Sequence, residues 1–164
     1  MNYSVFYEKL TGSIRKNPKA VSFLKGCDRL LTYGFYGIYP ILIGYVFLSD
    51  FEKLFRFIVI PGFSFIAVSL FRHFYNRPRP YEKEGITPLW HKDTQGHSFP
   101  SRHVFSASMI AMSILYINPS AGAVLLFLSS LEGFIRVTAG IHYISDVTAG
   151  LLVGVLCGFL YWLI

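Results

Sequence analysis

The sequence predicts an all-α protein: an integral membrane helical bundle of about five transmembrane helices, preceded by a basic amphipathic helical segment. Three observations predict it. The chain of 164 residues is 53% hydrophobic and only 15% charged, whereas soluble domains carry about a quarter charged residues. Its apolar stretches have helix length and are separated by short polar links. Finally, its histidines and arginines gather at the ends of those stretches. Net charge is +6, which suits nucleic acid, an anionic membrane surface or a phosphorylated substrate. The apolar runs leave little water-facing surface for a duplex, so no nucleic-acid partner is expected. Cys27 and Cys157 adjoin or lie within apolar runs and read as buried or lipid-facing thiols, without disulfide or metal-ligand spacing. No cleavable signal peptide is expected.

Residues 1–29 alternate Val5, Phe6, Leu10 and Ile14 with Lys9, Arg15 and Lys16, and Pro18 interrupts them. This pattern predicts short helices on the membrane surface, and a solvated arm is the other reading. Residues 30–48 carry no charge and are long enough to cross a bilayer, which tolerates the glycines and Pro40. A second span covers residues 54–75, with Arg56 and Arg72 near its ends. The run Asn76-Arg77-Pro78-Arg79-Pro80 stops it. Residues 81–99 form the one long polar loop. Three further helices follow at 103–117, 121–137 and 145–164. The first two of these are short for full spans, which suits helices buried inside the bundle. Residues 1–29 are thus expected to form a surface segment and residues 30–164 a transmembrane domain.

If all five helices cross, the end of the second, the start of the third, the end of the fourth and the start of the fifth share one face. Those places hold three polar clusters. His142 and Asp146 are four residues apart and face the same way on a helix. An aspartate beside a histidine fixes its tautomer and leaves the other nitrogen free as nucleophile or base; a purely structural pair is the alternative. In Pro100-Ser101-Arg102-His103, Ser101 suits an N-cap, the helix start suits an anion, and His103 could protonate a departing oxygen. Arg72, Arg77 and Arg79 suit phosphate oxygens, although snorkelling to headgroups accounts well for Arg77. Together with Arg136, these groups supply what phosphoryl transfer through a phosphohistidine needs. No acidic cluster stands ready for magnesium, so a reaction without metal or cofactor is expected.

Three motifs in register resemble the type-2 phosphatidic acid phosphatase family, which includes glucose-6-phosphatase and the vanadium haloperoxidases. Arg72-x6-Arg79-Pro80 matches the family's Lys-x6-Arg-Pro. Pro100-Ser101-Arg102-His103 matches Pro-Ser-Gly-His. Arg136-x5-His142-x3-Asp146 matches Ser-Arg-x5-His-x3-Asp. The match covers about residues 54–160. The resemblance implies that His142 is the nucleophile, Asp146 its orienter and His103 the general acid, with Arg72, Arg79, Ser101, Arg102 and Arg136 around the phosphate. Three positions depart from the pattern. Arg72 stands for lysine and changes the reach. Arg102 stands for glycine and adds a side chain that could meet a second phosphate. Ile135 stands for serine and removes a hydroxyl.

The resemblance therefore implies a lipid phosphatase acting on a polyprenyl diphosphate, phosphatidic acid, phosphatidylglycerol phosphate or a phosphorylated glycolipid. Its partners would be that lipid and the bilayer; its oligomeric state is left open. A lipid phosphotransferase would use the same residues, and a non-catalytic phospholipid transporter would need the arginines but not His142. A haloperoxidase is disfavoured by the lipid-facing surface. Likeness to bacterial members implies the plasma membrane with an extracytoplasmic site. The positive-inside rule points to the cytoplasm, but several of the cations counted have a phosphate-binding reason to be there.

Overall fold

A computed structural model describes residues 3–163, which are 80% helical with no strand among them. The helices are α1 (Tyr3–Arg15), α2 (Pro18–Ser49), α3 (Phe51–Tyr75), the single turn α4 (Pro80–Lys83), α5 (Arg102–Ile117), α6 (Pro119–Thr138), α7 (Ile144–Gly158) and the short α8 (Leu160–Leu163). Four of the helical stretches are long and apolar enough to cross a membrane, and α5 is a shorter apolar helix. The expected five-helix bundle is thus present, with two differences in boundary. The helix of the first span begins at Pro18 rather than at residue 30, because Asn17 caps it by accepting from the amides of Lys19 and Ala20. The helix expected to be short at 121–137 gains length from a second cap, Asn118, followed by Pro119. It is therefore long enough to span. The last residue of the expected fifth helix lies outside the described residues.

Helix α5 is the axis of the molecule. From Val104 to Ser113, only Ser106 is not fully buried. Helix α7 lies directly against it. A Cβ on Gly154 would sit 2.0 Å from Ser108 Oγ, and one on Gly158 would sit 2.3 Å from Met112 Cβ. Glycines at every fourth position let two membrane helices approach to backbone contact. The same approach brings the starts of α5 and α7 together, where Ser101 N donates to the carbonyl of Asp146 at 2.8 Å. Outward, α2 and α3 present Leu30, Ile41, Leu48, Phe55, Phe63 and Phe74, as lipid-facing helices do.

Helix α1 lies on the end of the bundle that holds the three motifs. Tyr7 is buried and donates to the carbonyl of Thr87 at 3.3 Å. Its hydroxyl rests on the turn at Gly140, whose φ is +75° and where a Cβ would lie 2.8 Å from Tyr7 Oη. The ring of Tyr3 stands 5.0 Å from that of Tyr143. The basic first segment therefore shares a face with the long polar loop and the turn that carries His142.

Candidate active site

Four chain segments meet here: the end of α3 with the chain after it, the end of the long loop, the α6–α7 turn and the start of α7. Asn76 closes α3 in the left-handed conformation, at φ 37°. The chain then turns back across the end of the bundle and brings Arg77 and Arg79 inward. Asp146, fully buried, sits in the first turn of α7. Its Oδ2 accepts from the Tyr143 amide at 2.9 Å, from the Ser98 hydroxyl, and lies 3.4 Å from His142 Nδ1. Ser98 Oγ is itself 3.3 Å from Nδ1. A proton on Nδ1 would have both a hydroxyl and a carboxylate to accept it, and that tautomer leaves Nε2 with a free lone pair.

His142 is 2% exposed. Burial pushes its pKa down to about 4, and the charges of Arg79 and Arg136 add to that, while Asp146 opposes them. At neutral pH the ring is therefore uncharged. His103 stands at the start of α5. Its cationic neighbours are Arg136, Lys92 and Arg102, His142 is also nearby, and the ring of Tyr36 is 6.4 Å away. The two histidines expected to act as nucleophile and acid thus occupy one site.

The arginines are held in two distinct ways. Arg72, 8% exposed, donates to the carbonyls of His97, Ser98 and Pro100. Arg79, 6% exposed, donates from Nε to the Gly96 carbonyl at 3.0 Å and from a terminal nitrogen to the Ile141 carbonyl at 3.3 Å. Carbonyls orient a guanidinium without cancelling its charge, so both cations remain available to an anion. Arg136 instead faces carboxylates: Glu132 at 3.2 Å and Asp28 at 3.1 Å. Ser101 occupies the N-cap position of α5, as expected, but its side chain makes no cap bond. Its buried Oγ has no hydrogen-bond partner among the described residues. A phosphate oxygen is a suitable acceptor for that hydroxyl.

Sequence reasoning misplaced one residue and passed over others. Arg77 does not run to the headgroups. It lies 2.6 Å from Asp146 Oδ1 and 2.8 Å from Ser145 Oγ, with its guanidinium carbon 4.3 Å from the Tyr143 ring centroid. The left-handed turn at Asn76 redirects it. Ser98 and Lys92 were not singled out. The Lys92 ammonium lies near Arg136, Arg79 and Asp28, and burial, then repulsion from the two arginines, pushes its pKa down. Arg102 is exposed, with its guanidinium carbon 5.6 Å from the Phe65 ring centroid.

Two cavities adjoin the arginines. A polar one of about 270 Å³ is lined by Ser69, Arg72, His73, Arg79, His97 and Arg102. An apolar one, also about 270 Å³, lies between α2, α3 and α5 and includes Tyr36, Phe65, Phe105 and Met109. Phe65 lines the second while Arg102, stacked on it, lines the first. The arrangement offers an anion two guanidinium groups free of carboxylate partners among the described residues, Arg72 and Arg102, in one cavity with Arg79.

The chain is similar to known proteins. The PAP2 superfamily model matches residues 53–164, which hold all three motifs. Undecaprenyl-diphosphatase BcrC of Bacillus subtilis (strain 168) is 34% identical over 88 residues, 54% of this chain and 45% of that protein. The bacitracin transport permease protein BcrC of Bacillus licheniformis is 37% identical over 67 residues, 40% of this chain and 33% of that protein. The chain therefore matches less than half the length of these two relatives. Among solved structures, Aquifex aeolicus LpxE superposes with a TM-score of 0.76 at 25% identity, covering 97% of this chain and 93% of that one. The first transmembrane PAP2 type phosphatidylglycerolphosphate phosphatase from Bacillus subtilis superposes with a TM-score of 0.72 at 20% identity, over 95% of this chain and 82% of that one. That last likeness concerns the fold.

Proposed function

The chain belongs to the PAP2 superfamily, and from that premise we propose that it is a membrane lipid phosphatase working through a phosphohistidine. The observation that carries this reading is His142: buried, uncharged, and held at Nδ1 by Ser98 and Asp146. Nε2 attacks the phosphorus as the bond to the leaving oxygen breaks. His103, whose burial and cationic neighbours favour the neutral ring until an anion is bound, is charged once the substrate's negative charge offsets them, and gives that oxygen its proton. Arg72, Arg79, Arg136 and the Ser101 hydroxyl hold the other phosphoryl oxygens as charge spreads onto them. Water then attacks the phosphohistidine, His103 takes its proton, and inorganic phosphate leaves with His142 restored. The chain supplies nucleophile, acid and cations itself, so the reaction is proposed to need no metal.

A lipid diphosphate is the favoured substrate. The Bacillus subtilis relative is an undecaprenyl-diphosphatase, and Arg72, Arg79, His97 and Arg102 line one polar cavity. In this reading the terminal phosphate occupies the His142 site, and the inner phosphate, bonded to the lipid, meets Arg102. Helix α1 is proposed to lie on the membrane surface, and α2 carries the chain from Pro18 into the transmembrane domain. The site is proposed to face away from the cytoplasm of a bacterial plasma membrane.

Phosphate release from lipid monophosphates and diphosphates in detergent, with EDTA present, tests the activity. Release that persists in EDTA and falls by about a thousandfold or more in His142→Ala supports it. Equal release from the variant, or phosphate passed to a second lipid instead of water, overturns it. Arg102→Gly tests the substrate: the diphosphate-to-monophosphate ratio of kcat/KM is expected to fall by about tenfold, and an unchanged ratio sinks the diphosphate assignment.

A further inference from the structure

Arg136 is 2% exposed, and residues from two helices surround its guanidinium. Glu132, one turn earlier on α6, presents Oε1 at 3.3 Å from Nε and 3.2 Å from a terminal nitrogen. Thr32, on α2, accepts from that terminal nitrogen at 2.8 Å and donates its own proton to the same Oε1 at 2.8 Å. These three form a closed set. Asp28 lies one turn before Thr32 and so on the same face of α2. Its Oδ1 is 3.1 Å from the same nitrogen, close enough to attract but misaligned, for this buried oxygen has no hydrogen-bond partner among the described residues.

Two carboxylates hold one guanidinium, with the Lys92 ammonium nearby, so a phosphate approaching Arg136 competes with them for it. One carboxylate must give way. Glu132 is 1% exposed and fixed by two partners, whereas the Asp28 side chain is 14% exposed and loosely aligned. Lys92 is also a charged neighbour of Asp28 and can take the carboxylate when it swings off Arg136.

We propose that the two carboxylates act in opposite senses on Arg136: Glu132 is a positioning residue that holds it throughout, and Asp28 is a stand-in for phosphate that the substrate displaces. This rests on Arg136 being a phosphate ligand, as proposed above, and assigns α2 a part in phosphate affinity. Removing the competitor tightens anion binding, and removing the anchor loosens it. A merely structural role for both residues has no reason to give opposite signs.

The test measures inorganic phosphate as a competitive inhibitor, with kcat and KM for the best lipid substrate, in the full chain carrying Asp28→Asn, Glu132→Gln or Glu132→Asp. Asp28→Asn is expected to lower Ki and KM severalfold. Glu132→Gln is expected to raise both and to lower kcat/KM by about tenfold or more, as loss of a supporting partner does elsewhere. Glu132→Asp keeps the charge and is expected to recover part of the loss. A Ki that rises or stays constant in Asp28→Asn, or an unchanged Ki in Glu132→Gln, overturns the proposal. If Glu132→Gln does not fold, the sign of the Asp28→Asn shift decides. Calorimetric binding of inorganic phosphate to the same variants separates this inference from the reaction. A chain that hydrolyses no lipid yet shows the opposite shifts refutes the phosphatase reading alone.

Discussion

At the scale of single residues, the nucleophile is governed by what surrounds Asp146. Its Oδ2 serves His142, Ser98 and the Tyr143 amide, while Oδ1 is taken by Arg77. A cation on the far oxygen draws negative charge away from the imidazole. His142, depressed to about 4, is protonated only below that value, so its reactive form is present above pH 4 and lost as pH falls through it. The acid limb of kcat/KM is therefore expected near pH 4. Arg77→Gln removes positive charge beside Asp146, favours the imidazolium and raises the His142 pKa. The acid limb should then move to higher pH; a limb that stays in place or moves lower would show that Arg77 does not act through Asp146. Arg77 also shows where the sequence could be read and where it could not. Its charge beside two prolines was plain, but its direction depended on one left-handed residue, Asn76. Arg72 was expected at phosphate, and the carbonyls of residues 97, 98 and 100 that orient it have no signature in side chains. Glu132 was passed over in the sequence. A lone acid in an apolar run is costly unless it has a partner and a purpose, though the partner on α2, a hundred residues earlier, was not legible.

At the scale of elements, the decisive contact is that of α5 with α7. The motif residues lie on different helices, and they meet because Gly150, Gly154 and Gly158 remove the side chains that would hold those helices apart. The helices themselves were legible as apolar runs, but the starts of α2 and α6 were set by the asparagine caps Asn17 and Asn118, ahead of the apolar runs. The glycine spacing of four was equally visible, yet within an apolar run it says nothing about which helix will be its neighbour. Gly154→Leu is expected to unseat α7, costing about 1–3 kcal/mol or more and most of the activity, since His142 and Asp146 would leave Ser101. Thermal unfolding in detergent and phosphate release check this. Gly44→Leu, where a Cβ meets nothing within 4 Å, should leave both unchanged. If both variants behave alike, the close approach is not what aligns the motifs.

At the scale of the whole molecule, the two ends of the bundle have different characters. One carries the arginines, histidines and carboxylates, tied across four segments by hydrogen bonds. The other is apolar, with Leu42, Val46, Phe57, Ile60, Met109 and Tyr161 as its core and the exposed Phe47, Leu48, Phe51 and Phe55 around the α2–α3 link. Helix α5 joins the ends and barely meets lipid. A thicker or thinner bilayer changes the match between hydrocarbon and protein length, and helices respond by tilting. Here the response falls on the α2–α3 link, whose own directional bonds, such as the 2.6 Å Asp50–Lys53 ion pair, join residues no more than four apart, while the polar end is fixed by bonds between distant segments that tolerate little change of angle. The molecule thus has a compliant end and a stiff one, and the stiff end is where the chemistry is. Such a bundle can meet membranes of different thickness without altering the distances that its reaction depends on.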